Sequence, residues 1–213
     1  YNEAEYAKKI AKHLGTDHTE FYVSPKKALE VIPKLPTIYD EPFSDSSQIP
    51  TYLVSQFAKQ HVKVALSGDG GDELFCGYNR YARSEKIWNT FRYIPSSFRK
   101  ILASGIEKLS TQNWSDLSKF LPGLNHYTNF GDKMHKGAKA LNARTLSDLY
   151  YVLSSHWQNP TEIVINSKEP PTFLTEFKPE LKGLSNQEQM MVLDLITYLP
   201  NDNLVKVDRA AMA

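Results

Sequence analysis

Residues 62–91 constrain this chain more than any other stretch. An apolar run at 62–66, VKVAL, meets the loop Ser67-Gly68-Asp69-Gly70-Gly71-Asp72-Glu73, and helical spacing then continues to Phe91. A buried strand that ends in a glycine-rich turn and feeds a helix directs orphan backbone N–H groups and the positive end of the helix dipole at one spot. Gly68, Gly70 and Gly71 permit left-handed angles and a close approach of backbone to ligand. The string is not Gly-x-Gly-x-x-Gly and lacks the Lys-Ser/Thr ending of a Walker A loop, so it predicts neither a dinucleotide fold nor a P-loop.

Three carboxylates, Asp69, Asp72 and Glu73, fall within five residues of this loop. Like charges so close repel unless they are solvated or neutralised. A magnesium ion carried by a polyphosphate would neutralise them while bridging to phosphates held by the backbone donors. The same residues also describe a solvent-exposed strand-to-helix turn, because Asp and Gly are common turn formers. At the first turn of a helix, a structural role is sufficient for Glu73.

Elsewhere the pattern is strand and helix in alternation, then helix. Residues 3–14 place Ala4, Ala7, Ile10, Ala11 and Leu14 at helical spacing, with Gly15 as a stop. Thr19–Val23 reads as a strand, and a helix from Pro25 to Ile32 follows Ser24 as N-cap. Residues 33–50 are broken by proline and carry Asp40, Glu41 and Asp45; residues 51–60 resume a helix. This order predicts a parallel α/β layer over residues 1–92. Residues 93–213 read as a mostly helical region of the same domain, with Glu162–Ile165 as a weak strand signal and Met190, Met191 and Met212 as core residues.

The 213 residues include 12 Tyr, 10 Phe and 3 Trp, enough to build a core, and a formal net charge of +1 gives no global attraction to nucleic acid or an anionic membrane. Cys76 is the single cysteine, which excludes an intramolecular disulfide framework. No apolar run approaches the ~18 residues of a membrane span, so the expectation is a cytoplasmic protein. The six histidines show no metal-ligand spacing.

Ala65 to Tyr81, ALSGDGGDELFCGYNRY, closely resembles the second nucleotide-site segment of the glutamine-hydrolysing asparagine synthetase family. Residues 39–50, YDEPFSDSSQIP, resemble the acidic loop that precedes it, and 199–213, LPNDNLVKVDRAAMA, resemble a later family segment. The resemblance implies an adenine-nucleotide α-hydrolase-like fold with a partial parallel sheet. It implies a ligase that uses ATP and Mg2+ to convert aspartate to β-aspartyl-AMP. Ammonia, produced from glutamine by an N-terminal glutaminase domain outside this chain, then gives asparagine.

Residue by residue, the resemblance places Asp72 at the magnesium-binding aspartate, and Ser67 and Gly68 beside adenylate and substrate. Gly70 and Gly71 complete the backbone cradle. Asp69 stands where many members have Glu, on the ammonia side of the acyl intermediate, and is the candidate catalytic residue. Asp40 and Glu41 are candidate substrate contacts, while Lys206, Asp208 and Arg209 either orient the site or cap a helix. Cys76 occupies a position where the family commonly has Gly and is not assigned as a nucleophile.

The family's first phosphate loop, Ser-Gly-Gly-x-Asp-Ser, does not occur in residues 1–213. The expectation is therefore half an active site, inactive alone, and self-association through an exposed sheet edge. Two alternatives keep the same loop: an amidotransferase of polysaccharide synthesis with a different acceptor, and a scaffold domain without turnover.

Overall fold

The computed structural model describes residues 4–120, 129–155, 157, 160–176 and 180–213. The chain divides into two compact units, Tyr1–Asp69 with Pro200–Ala213, and Gly70–Leu199. The first unit begins with α1 (Ala4–Leu14), α2 (Pro25–Val31), α3 (Leu35–Tyr39) and α4 (Gln48–Ala58). The second holds α5 (Gly71–Phe75), α6 (Asn79–Phe91), α7 (Ser96–Glu107), α8 (Thr111–Lys119), α9 (Phe130–Leu141), α10 (Leu146–Ser154) and α11 (Asn186–Ile196). The first unit is completed by α12 (Leu204–Met212).

Local chemistry accounts for many of these boundaries. Gly15 ends α1 at φ +66°, and Ser24 Oγ accepts from the Lys27 amide at the start of α2. Pro33 and Pro36 break the following stretch into a 3-10 turn, Ile32–Lys34, and the short α3, which ends at Asp40 in the left-handed region. Reciprocal capping boxes, Thr145 with Asp148 and Ser185 with Glu188, start α10 and α11.

In the first unit α12 packs against α3 and α4, burying Tyr39, Leu53 and Ala210. In the second, α6, α10 and α11 enclose Tyr81, Phe91, Leu146, Leu149, Tyr150, Met190 and Leu193. There α9 packs on α7 and α8, and Gly131 makes the close approach possible: a methyl group there would lie 2.7 Å from Thr111 Cα. Arg99 of α7 donates to the carbonyls of Leu141 and Ala143 at 2.9 and 2.6 Å, satisfying acceptors at the end of α9.

The expected parallel sheet is absent: no β-strand occurs among the described residues. Thr19–Val23 has no regular structure, and residues 160–162 form a 3-10 turn. Residues 62–66 run as irregular chain with a bend at Lys63, with Val64 82% and Leu66 99% exposed. A β-branched apolar run favours a strand only where a neighbour supplies ladder hydrogen bonds and a face to bury, and these residues have neither. The adenine-nucleotide α-hydrolase-like reading of this chain is thereby corrected, and the sheet edge expected to drive self-association goes with it.

Two smaller expectations also change. The helix expected from Glu73 to Phe91 is interrupted at Cys76–Tyr78, giving α5 and α6. Met190 is fully buried and Met191 packs on the core, but Met212 is 81% exposed near the end of α12.

Candidate functional site

The boundary between the two units falls inside the loop singled out from sequence. Ser67, Gly68 and Asp69 belong to the first unit and are exposed; Ser67 Oγ donates to Asp69 Oδ2 at 2.6 Å. Ser67 and Asp69 lie at the rim of a groove of about 710 Å³ whose apolar lining includes Val54, Ala58, Val62 and Val207. That volume suits a small organic ligand, and Ser67 and Asp69 are among its polar lining groups together with Thr51, Ser55, Lys59 and Lys63.

In the second unit Gly70 is buried at φ +87°, a conformation suited to glycine, and it begins α5. Gly71 and Asp72 follow, and Asp72 is exposed. Since α5 has only five residues, its dipole is small, and the helix-terminus electrostatics expected from a long helix are correspondingly reduced. Glu73 points inward: it is 1% exposed, and Tyr78 Oη donates to its Oε1 at 3.0 Å. Of the three loop carboxylates, Glu73 is thus the structural one.

Among the described residues no three His, Cys, Asp or Glu side chains gather as a metal site. Magnesium bound through substrate phosphates needs only one or two protein carboxylates, so an exposed Asp72 fits an ion arriving with a nucleotide rather than one held permanently.

The acidic loop lies in the first unit, against a separate cavity of about 400 Å³ lined by Asp40, Glu41, Pro42 and Phe43. Asp40 and Glu41 therefore do not share the groove of Ser67 and Asp69. Arg209 Nη1 approaches Asp40 Oδ2 at 3.2 Å, an exposed pair of small energetic weight. Asp45 is more firmly held. Burial acts to raise its pKa, but hydrogen bonds from the Lys206 ammonium and from the Ser47 hydroxyl and amide outweigh it and hold the carboxyl below its ordinary range. Tyr39 Oη donates to the Lys206 carbonyl at 3.2 Å, closing the cluster onto α12. Asp208 is exposed.

The second unit also contains a buried polar network that matches no sequence motif. Asp194 is buried and accepts from Arg80 Nη2 and Tyr81 Oη, each at 2.6 Å, and from Tyr150 Oη. Burial, followed by the bond to Asp194, raises the Tyr81 pKa; for Tyr150 burial and then the Asp194 charge do the same. The Arg80 guanidinium also lies 3.9 Å from the Tyr78 ring centroid and 4.8 Å from that of Tyr198. A signal was present in the sequence: Asp194 is the lone charge within the apolar run MMVLDLITYL, and a buried carboxylate requires partners.

Cys76 sits in the left-handed region at φ 59°, the conformation in which glycine is least strained, and its Sγ lies 3.1 Å from Gln187 Oε1. Glycine would be expected at this position for backbone reasons alone.

Comparison with known proteins agrees with the loop. A family model described as asparagine synthase matches residues 1–213. Asparagine synthetase [glutamine-hydrolyzing] 1 of Bacillus subtilis is 30% identical over 215 residues, covering 100% of this chain and 31% of the relative. A putative asparagine synthetase [glutamine-hydrolyzing] of Mycobacterium tuberculosis is 30% identical over 222 residues, again across 100% of this chain and 30% of the relative. A putative asparagine synthetase [glutamine-hydrolyzing] 2 of Methanocaldococcus jannaschii is 40% identical over 101 residues, 47% of this chain. No solved structure matches at a significant level. The chain belongs to the asparagine synthase family. It spans about a third of the length of the relatives that it matches in full. Among the described residues no helix is long and apolar enough to cross a membrane.

Proposed function

We propose that this chain is part of an ATP-dependent amide-forming ligase that converts aspartate to asparagine, with the Ser67–Asp72 loop serving the nucleotide and the acyl intermediate. The observation that carries the reading is the loop SGDGGDE itself, in a chain matched by the family along its whole length.

The chemistry needs a leaving group, since a carboxylate oxygen does not depart as oxide. An oxygen of the aspartate side chain attacks the α-phosphorus of ATP and pyrophosphate leaves. Ammonia attacks the resulting acyl carbon, AMP leaves with the former carboxylate oxygen, and one proton is shed from nitrogen. Asp72 would be the protein carboxylate that holds the magnesium accompanying ATP, which would offset the phosphate charge. Ser67, Gly68, Gly70 and Gly71 serve nucleotide and acyl group through hydroxyl and backbone donors. Asp69 orients ammonia or takes its proton. Asp40 and Glu41 contact the acceptor. Ammonia comes from glutamine at a separate glutaminase domain.

In the full-length protein, ATP–pyrophosphate exchange should depend on aspartate. Exchange driven instead by another carboxylic acid would favour an amidotransferase with a different acceptor, and none with any acid would reject the ligase reading.

A further inference from the structure

The carboxylate of Asp72 lies directly over Gly77. A methyl group on Gly77 would sit 2.8 Å from Asp72 Cγ and closer still to Oδ1. Backbone freedom does not explain the missing side chain, because Gly77 is absent from the positive-φ glycines, Gly15, Gly70 and Gly183. The surrounding turn is fixed from both sides. The amides of Cys76 and Gly77 donate to the Asp72 carbonyl, the latter at 2.9 Å, closing α5 in a Schellman-type cap. Beyond it, Tyr78 donates to buried Glu73 while its ring stacks on Arg80, which is paired with Asp194.

We propose that Gly77 is a positioning residue for Asp72: its bare Cα leaves the space in which the carboxylate lies, and the Tyr78–Glu73 bond keeps that space aligned. This rests on the reading of Asp72 as a ligand of nucleotide-bound metal. The link runs through direction rather than charge, since Gly77→Ala removes no ligand and adds one methyl where Asp72 now sits.

The test uses the full-length protein, with Mn2+-ATP binding followed by electron paramagnetic resonance and metal-free ATP binding by calorimetry. Gly77→Ala should weaken Mn2+-ATP binding by about 10- to 100-fold, the range for a group that orients a metal ligand. Metal-free ATP binding should stay near wild type. Asp72→Asn should lose at least as much metal-dependent affinity, and adding Gly77→Ala to it should cause no further loss. Tyr78→Phe, which keeps the ring over Arg80, should shift binding in the same direction by less. If Gly77→Ala does not fold, an unchanged Mn2+-ATP affinity in folded Tyr78→Phe overturns the proposal. Normal metal affinity in Gly77→Ala beside a defective Asp72→Asn overturns the role of Gly77 alone. Normal affinity in Asp72→Asn overturns the Asp72 reading and this proposal together.

Discussion

Lys206 Nζ lies 2.8 Å from Asp45 Oδ2, and Ser47 Oγ and Asn203 Oδ1 receive its other donors at 2.8 and 3.1 Å. All three ammonium protons are thus satisfied in a buried position, and α12 is tied to the loop that precedes α4. Breaking a buried pair from one side leaves an uncompensated charge. Lys206→Met should therefore cost about 3 kcal/mol in urea unfolding of the full-length protein. Because the folded-state pKa of Asp45 is depressed, its contribution is present above the ordinary value of 3.8 and is lost as pH falls through the lower folded value. The variant should show a correspondingly shallower acid limb. An unchanged limb would separate Asp45 from Lys206.

Asp194 is held by two tyrosine hydroxyls and one guanidinium in the second unit. Tyr150→Phe removes one donor to a buried carboxylate and should cost about 1–3 kcal/mol. Raised tyrosine pKa values mean stability that is present below the ordinary value of 10.0 and lost as pH rises through the folded values. Tyrosinate absorbance should leave Tyr81 and Tyr150 un-ionised at about pH 11, where an exposed phenol is mostly ionised. Their titration should coincide with unfolding.

Cys76 caps the C-terminus of α5 in the left-handed region, and its expected role is structural rather than chemical. Cys76→Gly removes backbone strain but also the side chain that packs on the core. Its stability should change by less than ~1 kcal/mol, with exchange activity and asparagine formation retained. Loss of turnover with normal folding would make the thiol functional after all.

Asp69→Asn keeps the shape at the groove rim and removes the charge. If Asp69 handles ammonia, asparagine formation should fall about a hundredfold or more while ATP–pyrophosphate exchange stays near wild type. Equal loss of both rates would assign Asp69 to adenylation instead.

The helices of this protein were largely legible because their signals are local. Ser24 before Pro25, Gly15 after Leu14 and the spacing within 146–154 and 186–196 depend on neighbours a few residues away. The strand expectations fail for the complementary reason. VKVAL has the composition of a buried strand, but a strand exists only through pairing and burial that no local string can specify, and here Val64 and Leu66 stay exposed. The loop at 67–73 was found from its residues, whereas its division into exposed Asp72 and buried Glu73 depends on Tyr78 and on the turn at Cys76–Gly77. The clusters around Lys206 and Asp194 join residues more than a hundred positions apart, and only the lone Asp within MMVLDLITYL hinted at one of them.

The most direct test of the central claim follows an oxygen atom. Full-length protein is supplied with ATP, magnesium, ammonia and aspartate carrying 18O in its side-chain carboxylate, and the products are weighed by mass spectrometry. The adenylate route predicts one 18O in AMP for each asparagine formed, with unlabelled pyrophosphate. Label in inorganic phosphate together with ADP would contradict it, because the carboxylate would then have been activated at the γ-phosphorus.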